Sequence, residues 1–221
     1  MSGSESAHAG GHPWLHPFQQ QVDRLVELGY AALLGLTESE FRNELEPLKQ
    51  RLPPDLTLAM EGNAARIPFV LVVNPALAPA RATLPLVRRE GHAPIERLYP
   101  IKLERFQPLA ELALPPGSAY LLLDIDRGDG TLNVAPKHAL EFIRAAARSP
   151  LTVEEGIAVL TQHPMFLEEN RCFSLLGSRC GDKRVPAFWL SGARPKLGWC
   201  WEGNPHTWIG SASCAARVGL T

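Results

Sequence analysis

Two stretches of this chain are apolar almost without a break: Ile67 to Val73, IPFVLVV, and Ala119 to Ile125, AYLLLDI. A strand sends successive side chains to opposite faces, so a run with no polar alternation needs cover on both sides. Both runs are short, and the first is rich in β-branched residues. The first is expected as a central, doubly covered strand that stops at Asn74-Pro75, and the second as another buried strand. Any fold for this chain must therefore lay helices or a second sheet on each side of these strands.

The helices for that cover are legible nearby. Pro17 suits a first helical position, and Phe18, Val22, Leu25, Val26 and Leu28 then recur at three- and four-residue steps to about Leu34. Thr37 to Glu40 reads as a capping box before Phe41, Leu45 and Leu48, with Pro53-Pro54 ending that helix. A second capping box, Thr152 to Glu155, opens a helix to about Gln162, and residues 136–147 form another. TLPLVRREG, Thr83 to Gly91, is expected as an edge strand because Pro85 removes a ladder donor. The spacing of Leu103, Phe106 and Leu109 starts a helix that Pro108 breaks.

After Asn170 the texture changes to short aromatic or β-branched segments, CFSLLGS, RVPAFWLS, KLGWCW and TWIGSAS, joined by turn residues. These predict an antiparallel meander. The fold class expected is therefore α+β: N-terminal helices, a mixed central sheet with flanking helices, and a C-terminal antiparallel β-meander. Residues 1–16 are expected as a disordered tail, 17–221 as a single α+β domain, and 171–221 as its Trp-rich meander module. The tail carries His8, His12 and His16 at a spacing of four, but Gly10, Gly11 and Pro13 oppose the helix that would pair them on a metal.

Charge narrows the function classes. With 22 Lys plus Arg against 23 Asp plus Glu, the net charge is −1, which does not fit a duplex-binding protein. No apolar run reaches the roughly 18 residues of a membrane span. The N-terminus has neither the basic nor the apolar region of a secretory signal. A cytoplasmic protein is expected, its four cysteines reduced. Neither nucleic acid nor membrane is expected as a partner.

LTVEEGIAVLTQHP together with GSRCGDKRVPAFWLSGARPKLGWCWEGNPHTWIGSASC resembles a domain-of-unknown-function family common in actinobacteria, and the likeness extends back through FQQQVDRLVELGY and AYLLLDIDRGDG. The resemblance implies a bacterial, cytoplasmic protein. It implies no activity, substrate or catalytic residue.

The chemistry-bearing residues gather in the last fifty positions. Trp189, Trp199, Trp201 and Trp208 offer flat apolar walls, and Arg179, Asp182, Arg184, Glu202, Asn204 and His206 offer polar heads. The leading expectation is a small-molecule-binding protein, its enzymatic status open, with Arg179, Asp182, Asn204 and Trp208 as ligand contacts and His206 as the one general base. No cofactor and no metal belong to that reading. The same tryptophans equally suit a packed core or a docking face, through which a homodimer could form.

A structural zinc on Cys180, Cys200, His206 and Cys214 is a second alternative; the ligand types are right, but the spacings of 20, 6 and 8 lack a C-x₂-C knuckle. Cys172 could replace one of the four. Cys180, beside Arg179, Lys183 and Arg184 in a Gly-containing turn, is expected to be exposed and is the best candidate for a reactive thiol. GSAS, Gly210 to Ser213, lacks the second glycine of a serine-hydrolase elbow, and GDGTLN is no phosphate loop. Asp124, Asp126 and Asp129 fail the register of a calcium loop, although Asp124 and Asp126 at a strand end could meet a ligand.

Overall fold

The structure is a computed structural model that describes residues 13–54, 56 and 63–220. Residues 1–12, with His8 and His12, lie outside the described residues. In chain order the elements are α1 (Leu15–Glu27), α2 (Tyr30–Leu33), α3 (Glu38–Leu45), β1 (Arg66–Val73), α4 (Ala80–Thr83), β2 (Ile95–Glu96), β3 (Gln107–Pro108), β4 (Ala119–Asp126), α5 (Pro136–Ala145), β5 (Ser149–Pro150), α6 (Val153–Gln162), β6 (Cys172–Ser174), β7 (Ser178–Arg179), β8 (Arg184–Ser191), β9 (Arg194–Trp201), β10 (Ile209–Ser211) and β11 (Ser213–Val218). The class is α+β, as the sequence predicts.

One sheet is antiparallel throughout, in the order β1-β4-β11-β5; the second, β10-β6-β8-β9-β2, has parallel pairs at both margins. The meander itself is β6, β8 and β9. The chain then crosses from β10 in the second sheet to β11 in the first through one residue, Ala212. At that crossing the Gly128 and Gly210 backbones touch. A Cβ on Gly210 would lie 2.1 Å from the Gly128 carbonyl oxygen, so close approach requires glycine there.

The two buried strands divide two cores. Val70, Val72, Tyr120 and Leu122 face α6 and the second sheet, among Ile157, Leu160, Phe173 and Phe188. Phe69, Leu71, Val73, Leu121 and Leu123 face the N-terminal helices, among Phe18, Val22, Phe41 and Leu48. β1 is covered on both faces as expected, but it is an edge strand and β4 is the inner one. The exposed ladder is closed by a side chain. Gln21 of α1, buried, donates to the Phe69 carbonyl (3.1 Å) and accepts from the Leu71 amide (2.8 Å).

Both capping boxes form at Thr37–Glu40 and Thr152–Glu155. The second places Glu155 at full burial, where it takes Arg217 of β11 in two hydrogen bonds (2.6 and 2.7 Å) and the Tyr120 hydroxyl (3.1 Å).

Other expectations need correction. The first helix starts at Leu15, with Trp14 already buried, and Gly29 (φ 83°) splits off α2. Thr83 to Gly91 is no strand: Pro85 opens a 3₁₀ turn, Leu84–Leu86, directly after α4. The segment after Ile101 holds only a 3₁₀ turn, Leu103–Arg105, because Pro108 is already paired in β3.

Candidate functional site

The pairing around β4 carries a fault. Pairing between β1 and β4 runs from Val73↔Ala119 to Phe69↔Leu123, omits Pro68 and Asp124, and resumes at Ile67↔Ile125. The pairing of β11 with β4 omits Asp124 as well, between Cys214↔Ile125 and Ala216↔Leu123. No residue is inserted, because the register is the same on both sides of the gap, yet the faces switch there. Ile67 and Ile125 join the same core as Val70 and Leu122, three positions away rather than two or four. Asp124 has φ 50°, a left-handed conformation seldom adopted outside glycine and least unfavourable for Asp and Asn. Pro68 has no N–H to offer across the ladder, and the Asp124 carbonyl opposite accepts from Arg148 Nη2 instead (2.5 Å). Backbone outliers of this kind cluster at active sites and ligand clamps.

What the fault aims is an arginine–carboxylate network. Arg66, at the start of β1, donates to Asp126 Oδ2 (2.9 Å) and, through its other terminal nitrogen, to Asp124 Oδ1. Arg148 donates to Asp124 Oδ2 (2.7 Å) and to Ser213 Oγ (2.9 Å). Next along the chain Arg127, 3% exposed, grips Asp129 at both oxygens (2.8 and 2.9 Å), Glu168 (2.6 Å) and the Phe166 carbonyl (3.0 Å). The Arg127 guanidinium holds the Asp129 carboxyl below its usual range, mainly through that hydrogen bonding. The loop carboxylates that resemble a calcium site in sequence are thus taken up by arginines.

Beside this network a cleft of about 550 Å³ opens between the start of β1 and the end of α6. Ile67, Pro164, Met165 and Phe166 form its apolar walls; Arg66, Gln162, His163 and Glu168 are polar. His163 caps the C-terminus of α6, its amide bonded to the Val159 carbonyl (2.7 Å). Burial, reinforced by the charge of Arg24, pushes its pKa down from 6.5 to about 4, so the imidazole is neutral at physiological pH. Two of the residues lining this cleft each hold a buried nitrogen, Arg66 Nε and His163 Nε2, with no hydrogen-bond partner among the described residues.

The residues expected to form a C-terminal site fall into two groups. Asp182 turns β7 into β8, accepting from the Arg184 amide (2.8 Å), the Arg184 guanidinium and Cys180 Sγ (3.2 Å). The Arg184 guanidinium lies 4.7 Å from the Trp199 ring centre and 4.9 Å from that of Trp201, and the two rings stand 5.1 Å apart, edge to face. Arg179 donates to the Leu176 and Ser178 carbonyls (2.7 and 3.0 Å), and burial lowers its pKa.

The second group lies in the connection from β9 to β10. Asn204 is exposed, its amide bonded to the Trp201 carbonyl (3.0 Å). His206 packs 5.5 Å from Trp208, and its carbonyl accepts from the Asn133 amide (2.8 Å). Among the described residues no hydrogen bond or ion pair joins Arg179 or Asp182 to Asn204, His206 or Trp208. None of these five residues lines the Arg66–His163 cleft or a second cleft of about 600 Å³ between Arg81, Pro94 and Lys102.

The cysteine expectations change as well. Cys180 is buried rather than exposed, and its thiol is pushed up, by burial first and by Asp182 second. Burial raises Cys200 to about 11 and Cys214 to about 12. Cys200 and Cys214 stand in different sheets, and among the described residues no group of three or more His, Cys, Asp and Glu side chains is placed to hold a metal ion. That removes the support for a zinc module.

A family model described as a family of unknown function, DUF5701, matches residues 24–220. The chain belongs to this family. The match spans the fault, the arginine network and the Arg66–His163 cleft, and the family's description assigns none of them a role. Neither the curated proteins nor the solved structures hold a match to the chain. Among the described residues no helix is long and apolar enough to cross a membrane.

Of the cleft residues, His163 is the one imidazole, and no spacing in the sequence gives it a partner. Arg66 and Arg148 carry no local signal, because their partner Asp124 lies 58 and 24 positions away. The available cue was Pro68 inside the apolar run, which had to break a ladder somewhere.

Proposed function

We propose that this DUF5701 protein binds a small molecule in the cleft between Arg66 and His163. The observation that carries the reading is that two residues lining one cleft, Arg66 and His163, each hold a buried, unpartnered nitrogen, since unmet buried polar groups cost about 1–3 kcal/mol each and are seldom left so without a use. The cleft volume falls in the range of small-ligand sites, and the left-handed Asp124 beside it stores strain of the kind that clusters at such sites. The bacterial, cytoplasmic setting implied by the sequence resemblance belongs to the same proposal.

A fragment screen on the ¹⁵N-labelled full chain tests it. Hits are expected to shift the amides of residues 64–67 and 162–168. Hits collecting on Asn204, His206 and Trp208 would return the site to the C-terminal module and refute this assignment.

A second reading, a docking face, is favoured by one observation: Tyr99 is 90% exposed and Trp201 42% exposed, with Trp199 Nε1 bonded to the carbonyl of Leu98 (3.2 Å). Self-association through that face would show as a concentration-dependent mass that Trp201→Ala abolishes.

A further inference from the structure

Resting on the ligand site just proposed, we infer that the Arg66–His163 cleft takes an uncharged molecule that presents an oxygen acceptor on an apolar body, and that it discriminates against anions. A guanidinium Nε is a donor only, so the group facing Arg66 must accept. An arginine alone would invite a carboxylate, but this one is already engaged. Arg66, Arg127, Arg148 and Arg171 stand against Asp124, Asp126, Asp129 and Glu168, so four cations meet four carboxylates. Arg24, whose charge also reaches His163, lines the adjoining cleft with Asp23 and Glu27.

An entering anion would share Arg66 with two aspartates and leave a net negative charge in a partly desolvated place. A carbonyl or hydroxyl oxygen accepts from the guanidinium without that penalty. His163, neutral, offers Nε2 as donor or acceptor according to its tautomer, which again suits an uncharged polar group. The body of the ligand meets Ile67, Pro164 and Phe166, and Met165, 53% exposed at the rim, is the flexible thioether that accommodates an aromatic ring.

Matched neutral and acidic probes decide the matter. The ¹⁵N-labelled full chain is titrated at pH 7.5 with benzamide against benzoate, and with biphenyl-4-carboxamide against biphenyl-4-carboxylate. The amides are expected to shift resonances of residues 64–67 and 162–168 at concentrations where the acids do not. Acids that bind there as tightly as the amides, or more tightly, overturn the ligand class and leave the site standing. Shifts elsewhere, or none from either pair, overturn the site itself. Arg66→Lys keeps a cation for Asp124 and Asp126 but removes the Nε donor. It is expected to weaken amide binding roughly tenfold, with the Asp124 and Asp126 resonances little changed; unchanged affinity would remove Arg66 from the proposal.

Discussion

If the His163 imidazole is held in place for a ligand, removing it should make the free protein more stable. His163→Leu fills a similar volume, suits the non-helical backbone before Pro164, and deletes a buried nitrogen that has no partner among the described residues. Relief of that unmet polar group is worth about 1–2 kcal/mol at pH 7.5, less whatever packing the leucine loses. Acid adds a second, separable effect. The folded protein holds His163 at about 4 while the unfolded chain titrates near 6.5, so below 6.5 the unfolded state takes up a proton that the folded state refuses.

Stability is therefore complete above pH 6.5 and drains away as pH falls towards 4. A shift of that size corresponds to about 3 kcal/mol, reduced to about 2 kcal/mol by water reaching the open cleft. The leucine variant lacks this loss, so its advantage should widen from about 1–2 kcal/mol at pH 7.5 to about 3–4 kcal/mol near pH 4. Urea denaturation of both proteins across that range, followed by tryptophan fluorescence and circular dichroism, gives the difference directly, and carboxylates common to both cancel. A variant less stable than the parent at pH 7.5 would refute the reading of His163 as an unmet group. A constant difference across the range would refute the burial-driven shift.

Two further outcomes follow from the packing. Arg217→Met leaves the fully buried Glu155 with no cation and should cost about 3–5 kcal/mol in urea denaturation, part of it recovered by adding Glu155→Gln. Iodoacetamide at pH 7.5 should leave Cys172, Cys200 and Cys214 unmodified in the native protein, since burial raises all three thiols, and label all four cysteines once the chain is denatured; labelling of Cys214 in the native state would contradict its place in the core.

What sequence reading could see was local. The capping boxes at Thr37 and Thr152 need only four residues, and both form. The apolar runs announce strands covered on two faces, and both are. Their order in the sheet is another matter, because β4 owes its inner position to β11, a strand some ninety residues further on. The tryptophan-rich end drew attention because flat amphipathic rings suit a core, a pocket or a surface alike. In the fold Trp199 and Trp201 are occupied by Arg184, and the polar residues around them are split between two turns. The candidate site instead assembles from Arg66, Asp124, Arg148 and His163. None of these shares a motif with another, and a ladder fault at Pro68 and Asp124 brings them together.

The crossing at Ala212 has a consequence for how the protein comes to be made. β11 is inserted between β4 and β5, so the first sheet has no middle until the chain through Val218 has left the ribosome. Until then β4 presents an unpaired edge to a chaperone. Neither sheet can finish alone, because the same short segment supplies the margin of one and the inside of the other. Folding of the first sheet should therefore wait for β11, and nascent chains stalled before Ile209 should be conspicuous clients of the chaperones that guard unpaired strands.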